Sequence, residues 1–281
     1  MKRIALVTDS TSDLTEKIKA ECETHVIPLK VRFGEQEFYD GEISSEEFYR
    51  RLETTEELPK TSQPSPEEFI QLYSRLLEEY HEIISIHISS GLSGTFNAAR
   101  IAGEKLKGKI HLVDSKTISL GAGVMILETA NLIREGLDSV HIVDKLTRIR
   151  TNVETLFTLN TLEYLQKGGR IGRVQSIMGS FLNIKPIVRV GDDGIYQSLG
   201  KARSQEKALK NIVEAFQVLA KGRKNIRFGV AHGGAFQAGS YLKEAMENAF
   251  QMPAAIFTQV GPVIGVHTGP GTIGAAFQFE S

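Results

Sequence analysis

The feature that most constrains the fold is a repeated alternation of short apolar runs with longer amphipathic segments. Residues 4–7, 83–88 and 110–113 are apolar or β-branched runs, and a helical pattern follows each of them. Nearly continuous apolar runs are typical of strands covered on both faces, so the alternation predicts a parallel, doubly wound sheet. In such sheets ligands bind beyond the carboxyl ends of the strands.

The pattern changes after residue 152. Residues 184–190 and 195–201 flank a Gly-Asp-Asp-Gly turn, which predicts a β-hairpin. Strands are expected at 153–159, 226–231, 255–259 and 272–279, and helical segments at 160–167, 171–181, 204–221 and 235–249. We therefore predict an α/β protein of two α/β domains, residues 1–151 with a parallel doubly wound sheet and residues 152–281 with a mixed sheet and helices.

Charge and composition exclude several classes of function. The 281 residues include 33 basic and 34 acidic side chains, a balance that argues against a dedicated nucleic-acid binder. A single cysteine allows no internal disulfide and fits a reducing compartment, and the short apolar run at the N-terminus is no signal-peptide core, so we expect a cytoplasmic location. We predict no metal site, because no His or Cys pairs have ligand spacing.

One long segment lacks ionisable acidic and basic side chains other than histidine. Residues 252–279 contain no Asp, Glu, Lys or Arg, yet they include five glycines and three prolines. These glycines and prolines argue against a lipid-exposed helix. The segment is therefore expected to be buried or to line an apolar cavity.

The loop S-S-G-L-S-G-T at 89–95 follows a predicted strand and precedes a predicted helix. Backbone N–H groups at a helix start bind anions, and the hydroxyls of Ser93 and Thr95 add neutral donors. The loop carries no Lys, so it does not match a nucleotide-binding P-loop, and it suits a singly charged anion such as a carboxylate. The alternative is that Ser93 only caps the following helix.

Two other stretches carry candidate binding groups. Thr61 and Ser62 lie in a proline-bounded segment expected to be a loop, just before Ser65, which is expected to cap a helix. His267 follows an apolar segment and can donate or accept a proton near neutral pH. Either it is a core residue at the end of a strand or it belongs to a site.

Taken together, these stretches resemble the DegV family of bacterial fatty-acid-binding proteins. The resemblance covers the whole chain in the expected order. It is carried by V-T-D-S-T-S-D-L (7–14), I-P-L (27–29), K-T-S-Q-P-S-P (60–66), S-S-G-L-S-G-T-F-N-A-A (89–99), V-D-S (113–115), L-Q-K-G-G-R-I (165–171), L-N-I-K-P-I (182–187), A-H-G-G (231–234) and H-T-G-P-G-T-I-G (267–274).

The resemblance implies a lipid pocket between or within the two domains. Thr61 and Ser93 would hold the carboxylate of a long-chain fatty acid such as palmitate, stearate or oleate, with His267 in the same hydrogen-bond network. The residues implied to support them are Ser62, Gly94, Thr95, Asn97 and Thr268. The basic residues implied near the site entrance, where a partner would dock, are Arg170 and Arg173.

The resemblance also implies a role in metabolism. The chain would be a non-catalytic subunit that presents its fatty acid to a separate kinase subunit, which forms an acyl phosphate for phospholipid synthesis. Transient contact with a membrane surface is expected, and no cofactor or nucleic acid. The alternatives are a stand-alone lipid sensor or carrier, and a phosphotransferase or hydrolase that uses His267 or Ser93.

Overall fold

The computed structural model describes residues 3–177 and 184–280. The first half alternates strands and helices: β1 (Ile4–Asp9), α1 (Glu16–Glu21), β2 (Thr24–Ile27), β3 (Lys30–Phe33), β4 (Gln36–Tyr39), α2 (Ser45–Thr54), β5 (Lys60–Ser62), α3 (Pro66–Glu79), β6 (Glu82–His87), α4 (Thr95–Lys105), β7 (Lys109–Asp114), α5 (Leu120–Arg134) and α6 (Ser139–Thr151). The second half contains β8 (Val153–Thr158), α7 (Glu163–Lys167), β9 (Lys185–Val190), β10 (Tyr196–Ala202), α8 (Gln205–Ala220), β11 (Lys224–His232), α9 (Phe236–Phe250), β12 (Ile256–Gln259), α10 (Pro262–Thr268) and β13 (Ile273–Glu280).

The first sheet is parallel, as the alternation predicts. Its order is β2-β1-β6-β7, and every pairing between these strands is parallel. All six residues of β6 are buried, which explains its nearly continuous apolar sequence. The carboxyl ends of the strands meet at one edge, where Asp9, His87 and Asp114 end β1, β6 and β7.

The second sheet is mixed, in the order β10-β9-β8-β13-β11-β12. The predicted hairpin is present as the antiparallel pair β9 and β10, and β11 runs parallel to β12 but antiparallel to β13. Helix α5 touches β1 and β6 of the first sheet and β8, β11 and β13 of the second. Its apolar residues are buried on nearly every face, because sheets cover it from two sides. The predicted α/β class, with a parallel and a mixed sheet, is thus confirmed.

The first departure from the prediction is strand β5, which belongs to a third sheet of three strands. Strand β3 pairs antiparallel with both β4 and β5, and this pairing makes residues 60–62 a strand where the sequence predicts a loop. Thr61 lies opposite Val31 in this pairing. The strand is only three residues long, so no alternation of side chains reveals it in the sequence.

Helix α10 is the second departure. The sequence places His267 at the end of a strand, but His267 lies in the last turn of this seven-residue helix. Val263, Ile264 and Val266 are poor helix formers, yet all three are buried, and burial outweighs local propensity. Pro262 occupies the first turn, where a missing N–H costs nothing.

Two other predictions fall partly or wholly outside what the structure tests. The helix expected at 171–181 is a 3₁₀ segment over Gly172–Ile177, and residues 178–183 lie outside the described part of the chain, as do the first two residues of the L-N-I-K-P-I motif. The division into domains at residue 151 stays a prediction. Within residues 3–177 and 184–280, no helix has the length and apolarity needed to span a membrane.

Candidate functional site

A buried chain of hydrogen bonds lies at the end of strand β6, just before the loop 89–95, which we call the hydroxyl loop. Asp9 accepts the backbone N–H of Ile88 at 3.0 Å and contacts His87 Nδ1 at 2.9 Å. The other ring nitrogen of His87 contacts Ser85, whose hydroxyl contacts that of Tyr73. These polar side chains are all fully buried, so the Asp-His-Ser arrangement cannot contact a substrate. The chain fixes the point where strand β6 becomes the loop.

The loop itself turns its hydroxyls in different directions. Ser89 donates to the carbonyl of Gly194 at 2.8 Å, which ties the loop to the β9–β10 hairpin. Ser93 Oγ and Thr95 Oγ1 lie 2.9 Å apart, and Ser93 Oγ also accepts the N–H of Thr95 at 3.3 Å. The N-cap position of α4 belongs to Gly94, which has no side chain to cap the helix. Ser93 is half-buried, so its hydroxyl remains accessible from the cavity beside it.

Thr61 and His267 meet although 206 positions separate them in the sequence. Thr61 Oγ1 lies 2.8 Å from His267 Nε2, where strand β5 faces the last turn of α10. Burial, and secondarily the positive charge of Arg170, lowers the pKa of His267 to about 4. The ring is therefore neutral at pH 7, so one nitrogen donates and the other accepts. His267 Nδ1 is buried without a hydrogen-bond partner in the described chain.

A cavity of about 230 Å³ brings the candidate residues together. Its wall combines polar groups from β5, the hydroxyl loop, α10 and the segment after α7 with apolar side chains. The lining residues are Leu29, Thr61, Ser62, Gln63, Ile88, Leu92, Ser93, Ile118, Arg170, Tyr196, Val263, Ile264 and His267. We call it the head cavity. Ser62 and Gln63 are solvent-exposed, so the head cavity reaches the protein surface at that end.

A second cavity, of about 40 Å³, adjoins the first. The two share Ile118, Tyr196 and Ile264, and only apolar atoms are accessible on the wall of the smaller one. Its other lining residues are Ser119, Leu120, Thr155, Phe157, Ala231, Val260, Thr268, Thr272, Gly274, Ala275 and Ala276. We call it the tail cavity. Six of these residues, and the shared Ile264, come from the uncharged segment 252–279, as the sequence predicts for a cavity wall.

Arg170 gives the head cavity a positive charge that the hydroxyl loop lacks. Its guanidinium donates to the carbonyls of Gly168 at 2.7 Å and Leu92 at 3.4 Å. No ion pair joins it to a carboxylate in the described part of the chain. The charge is therefore available to an anion, and guanidinium groups bind carboxylates well.

The remaining predicted residues lie at varying distances from the head cavity. Gly94 is covered by the side chain of Gln63, whose Oε1 would lie 2.0 Å from an added Cβ. Thr95 is buried behind Ser93. Thr268 lines the tail cavity instead, and its hydroxyl donates to a backbone carbonyl at 3.0 Å.

Two predicted residues do not line either cavity. Asn97 is exposed on α4, and its side-chain oxygen accepts from Arg100 at 2.9 Å. Arg173 is 62% exposed and forms an ion pair with Asp193 of the β9–β10 turn at 2.6 Å. Arg173 therefore contributes to the surface near the hairpin.

The sequence reasoning missed most of the apolar wall. Ile118 and Tyr196 line the head cavity and lie outside every motif quoted from the sequence. Leu29 and Gln63 belong to quoted motifs, but the sequence did not assign them to the site. Only the uncharged segment gave a signal, and it covers Val263 and Ile264. No cluster of three or more His, Cys, Asp or Glu side chains suited to a metal ion occurs in residues 3–177 and 184–280.

A buried carboxyl group fixes α10 against the first sheet. Asp13 accepts the N–H of Gly261 at 2.9 Å, and the hydroxyl of Ser119 donates to its other oxygen. Burial raises the pKa of Asp13 to about 7 and that of Asp40 nearby to about 6. These contacts join the start of α10 to the start of α5, so they fix the position of His267 relative to the tail cavity.

Comparisons with known proteins identify the family to which this chain is similar. A family model described as "Uncharacterised protein, DegV family" matches residues 3–280. A DegV domain-containing protein of Clostridium acetobutylicum is 38% identical over 278 residues, which cover 98% of each chain.

Two solved structures have the same fold over their whole length. A DegV family protein from Thermus thermophilus, described with fatty-acid binding, is 36% identical with a TM-score of 0.93, covering 99% of this chain and 100% of that one. DegV from Bacillus subtilis, described as a fatty acid binding protein, is 31% identical with a TM-score of 0.91, covering 100% of both chains. With a full-length family match and full-length relatives above 30% identity, this chain belongs to the DegV family.

Proposed function

We propose that this protein binds a long-chain fatty acid, with the carboxylate in the head cavity and the tail directed into the tail cavity. The observation that carries the proposal is the juxtaposition of the Thr61–His267 pair and Arg170 with an adjoining apolar cavity. The descriptions of the Thermus and Bacillus relatives as fatty-acid-binding support it.

The state of His267 decides what Thr61 can offer a carboxylate. If Thr61 donated its proton to Nε2, it would have none left for a ligand. If the neutral ring instead carries its proton on Nε2 and donates to Thr61 Oγ1, the threonine proton is free. Nδ1, which has no partner, is then a lone pair rather than an unpaired N–H. Thr61, Ser93 and Arg170 together would supply charge-assisted hydrogen bonds to both carboxylate oxygens.

The two cavities would contribute different free energies to binding, apolar burial in the tail cavity and hydrogen bonds in the head cavity. Burying a CH₂ group is worth ~0.8 kcal/mol, so a chain of ~16 carbons gains roughly 12 kcal/mol on leaving water, less the cost of ordering it. A fatty acid in a bilayer has already gained this energy, so transfer from membrane to protein is nearly balanced. Hydrogen bonds to a charged group, each about 1.5–3 kcal/mol, would then decide the exchange. Loading by transient contact with a membrane is part of the proposal.

We extend the proposal to presentation of the carboxylate to a separate kinase subunit that forms an acyl phosphate. Exposed Ser62 and Gln63 line the head cavity, so a carboxylate held there would be within reach of a partner's ATP. A hydrolase reading has less support, because Ser93 contacts Thr95 and His267 contacts Thr61, leaving no serine–histidine pair at the cavity. The protein would thus act as a non-catalytic carrier.

Mass spectrometry of the purified protein tests the binding proposal. We expect a stoichiometric adduct under native conditions, and release of a fatty acid after denaturation and organic extraction. The mass of that acid gives its chain length and unsaturation. If the protein carries no adduct and does not take up added oleate or palmitate, the proposal is wrong.

Thr61→Val and Ser93→Ala test how the carboxylate is held. With a kinase subunit and ATP, both variants should slow acyl-phosphate formation by about tenfold or more, the loss of one charge-assisted bond. Lipid retention should fall less, because the tail is still buried. Thr158→Val is the matched control, since Thr158 is buried, its hydroxyl has no hydrogen-bond partner among the described residues, and it lines neither cavity. Unchanged rates in both variants would contradict the assigned roles, and binding without any turnover would favour a stand-alone carrier or sensor.

A further inference from the structure

The side chain of Gln63 lies across the opening of the head cavity. The cavity reaches the protein surface at Ser62 and Gln63, directly after Thr61 of β5. The Gln63 amide packs on Gly94 of the hydroxyl loop, the residue next to Ser93. A Cβ added to Gly94 would lie 2.8 Å from Cδ and Nε2 of Gln63, and closer still to Oε1. The side chain therefore joins the two walls that carry the hydroxyls assigned to the carboxylate.

The backbone on both sides of this contact favours the position of the amide. Pro64 follows Gln63 and restricts it to extended conformations, and Pro64 is itself buried. The backbone of Gly94 has a φ of −77° and a ψ of 2°, which other residues also adopt. The backbone does not require glycine at position 94, but a side chain there would take the space of the Gln63 amide.

The amide of Gln63 offers what a carboxylate at this place can still accept. A carboxylate has about four lone-pair sites on its two oxygens, and the proposed binding mode fills three of them, from Thr61, Ser93 and Arg170. An amide carries two N–H donors and no charge. Because Gln63 lies between the walls that carry Thr61 and Ser93, it is placed to donate to the carboxylate from the solvent side.

We propose that Gln63 closes the head cavity over a bound fatty acid, donating an N–H to its carboxylate, and that it rotates away before a phosphoryl donor approaches. This inference rests on the proposed fatty-acid binding and names a residue that controls access to the carboxylate. The rotation leaves the fold intact, because the atoms that contact Gly94 are the end of a flexible, exposed side chain.

Gln63→Ala and Gln63→Glu test the contact with the carboxylate. Glutamate has nearly the shape of glutamine, but at pH 7 it has no donor and places a second negative charge beside the ligand. Displacement of a fluorescent fatty acid from the delipidated full-length protein measures affinity. Palmitate should bind about tenfold more weakly to Gln63→Ala, and more weakly again to Gln63→Glu.

Hexadecanol separates a contact with the carboxylate from a structural effect, because it has the same chain length and a neutral head group. It should bind wild type and Gln63→Glu almost equally. Gln237→Glu is the matched control, since Gln237 is exposed on α9 and lines neither cavity, and it should leave both affinities unchanged. An equal change for palmitate and hexadecanol in Gln63→Glu would overturn the inference.

Gly94→Ala tests the position of the amide, because the added methyl group needs the space that Gln63 occupies. Like Gln63→Ala, it should speed the transfer of palmitate from the protein to phosphatidylcholine vesicles about tenfold. In the Gln63→Ala protein, Gly94→Ala should have no further effect, because the displaced group is already absent. Unchanged or additive rates would overturn the inference. If palmitate does not bind the unaltered protein, fatty-acid binding itself is wrong, so the two failures are distinguishable.

Discussion

In the unaltered protein, ionisation of Asp13 should lower the free energy of unfolding as the pH rises. Replacing Asp13 by Asn should abolish this decrease. The carboxyl group is 7% exposed, and it accepts the N–H of Gly261 and the hydroxyl proton of Ser119. Burial raises its pKa from 3.8 to about 7, with the nearby charges of Asp40 and Asp9 adding to the rise. Asparagine retains an oxygen for Gly261 and tolerates the left-handed backbone at this position, φ 50° and ψ 31°.

The sign and size of the effect follow from the two pKa values. Between about pH 4 and pH 7, Asp13 is protonated in the folded protein and ionised in the unfolded chain, so the folded state binds more protons. The free energy of unfolding therefore falls as the pH rises through this window, and Asp13 contributes no further change above it. At ~1.4 kcal/mol for each pH unit, the loss comes to about 4 kcal/mol. The substitution should abolish it.

Urea unfolding of both proteins from about pH 4 to about pH 8 measures the effect. The difference between the two curves isolates Asp13, because other groups titrate in both proteins. His267 acts in the opposite direction, since its folded pKa of about 4 lies below 6.5 and stability rises with pH in that window. Asp144→Asn, on the exposed surface of α6, is the control and should leave the curve within ~0.5 kcal/mol. Parallel curves for wild type and Asp13→Asn would refute the reasoning.

The remaining predictions concern one steric contact, one helix cap and one buried hydroxyl. In Gly168→Ala the new Cβ would lie 2.3 Å from Nδ1 of His267, so the ring must move, and acyl-phosphate formation with a kinase subunit and ATP should slow about tenfold. Gly200→Ala, with nothing within 4 Å, is its control, and equal rates in both would contradict the assignment. Ser65→Ala removes a complete capping box and should cost about 1 kcal/mol in urea unfolding; no measurable change would argue against the cap. Tyr73→Phe removes the outer hydroxyl of the buried chain below the loop, and the same assay should show a loss of ~1–2 kcal/mol unless that bond is absent.

Elements that depend on local interactions can be predicted from the sequence. Strand β6 is buried on both faces, so its nearly continuous apolar sequence predicts a buried strand. The capping box before α3 and the turn between β9 and β10 consist of residue types that favour these local backbone conformations. From such signals the alternation of strands and helices, the parallel sheet and the hydroxyl loop at its edge can all be predicted.

Packing between distant segments sets which of these elements contact each other and which secondary structure some of them adopt. Helix α10 forms against its residue propensities because burial of Val263 and Ile264 outweighs them. Strand β5 exists only through its pairing with β3, which brings Thr61 to His267. Arg170 and Tyr196 reach the head cavity from segments far from Thr61 and Ser93 in the sequence. No local pattern encodes these contacts, because each depends on packing between residues that are far apart in the chain.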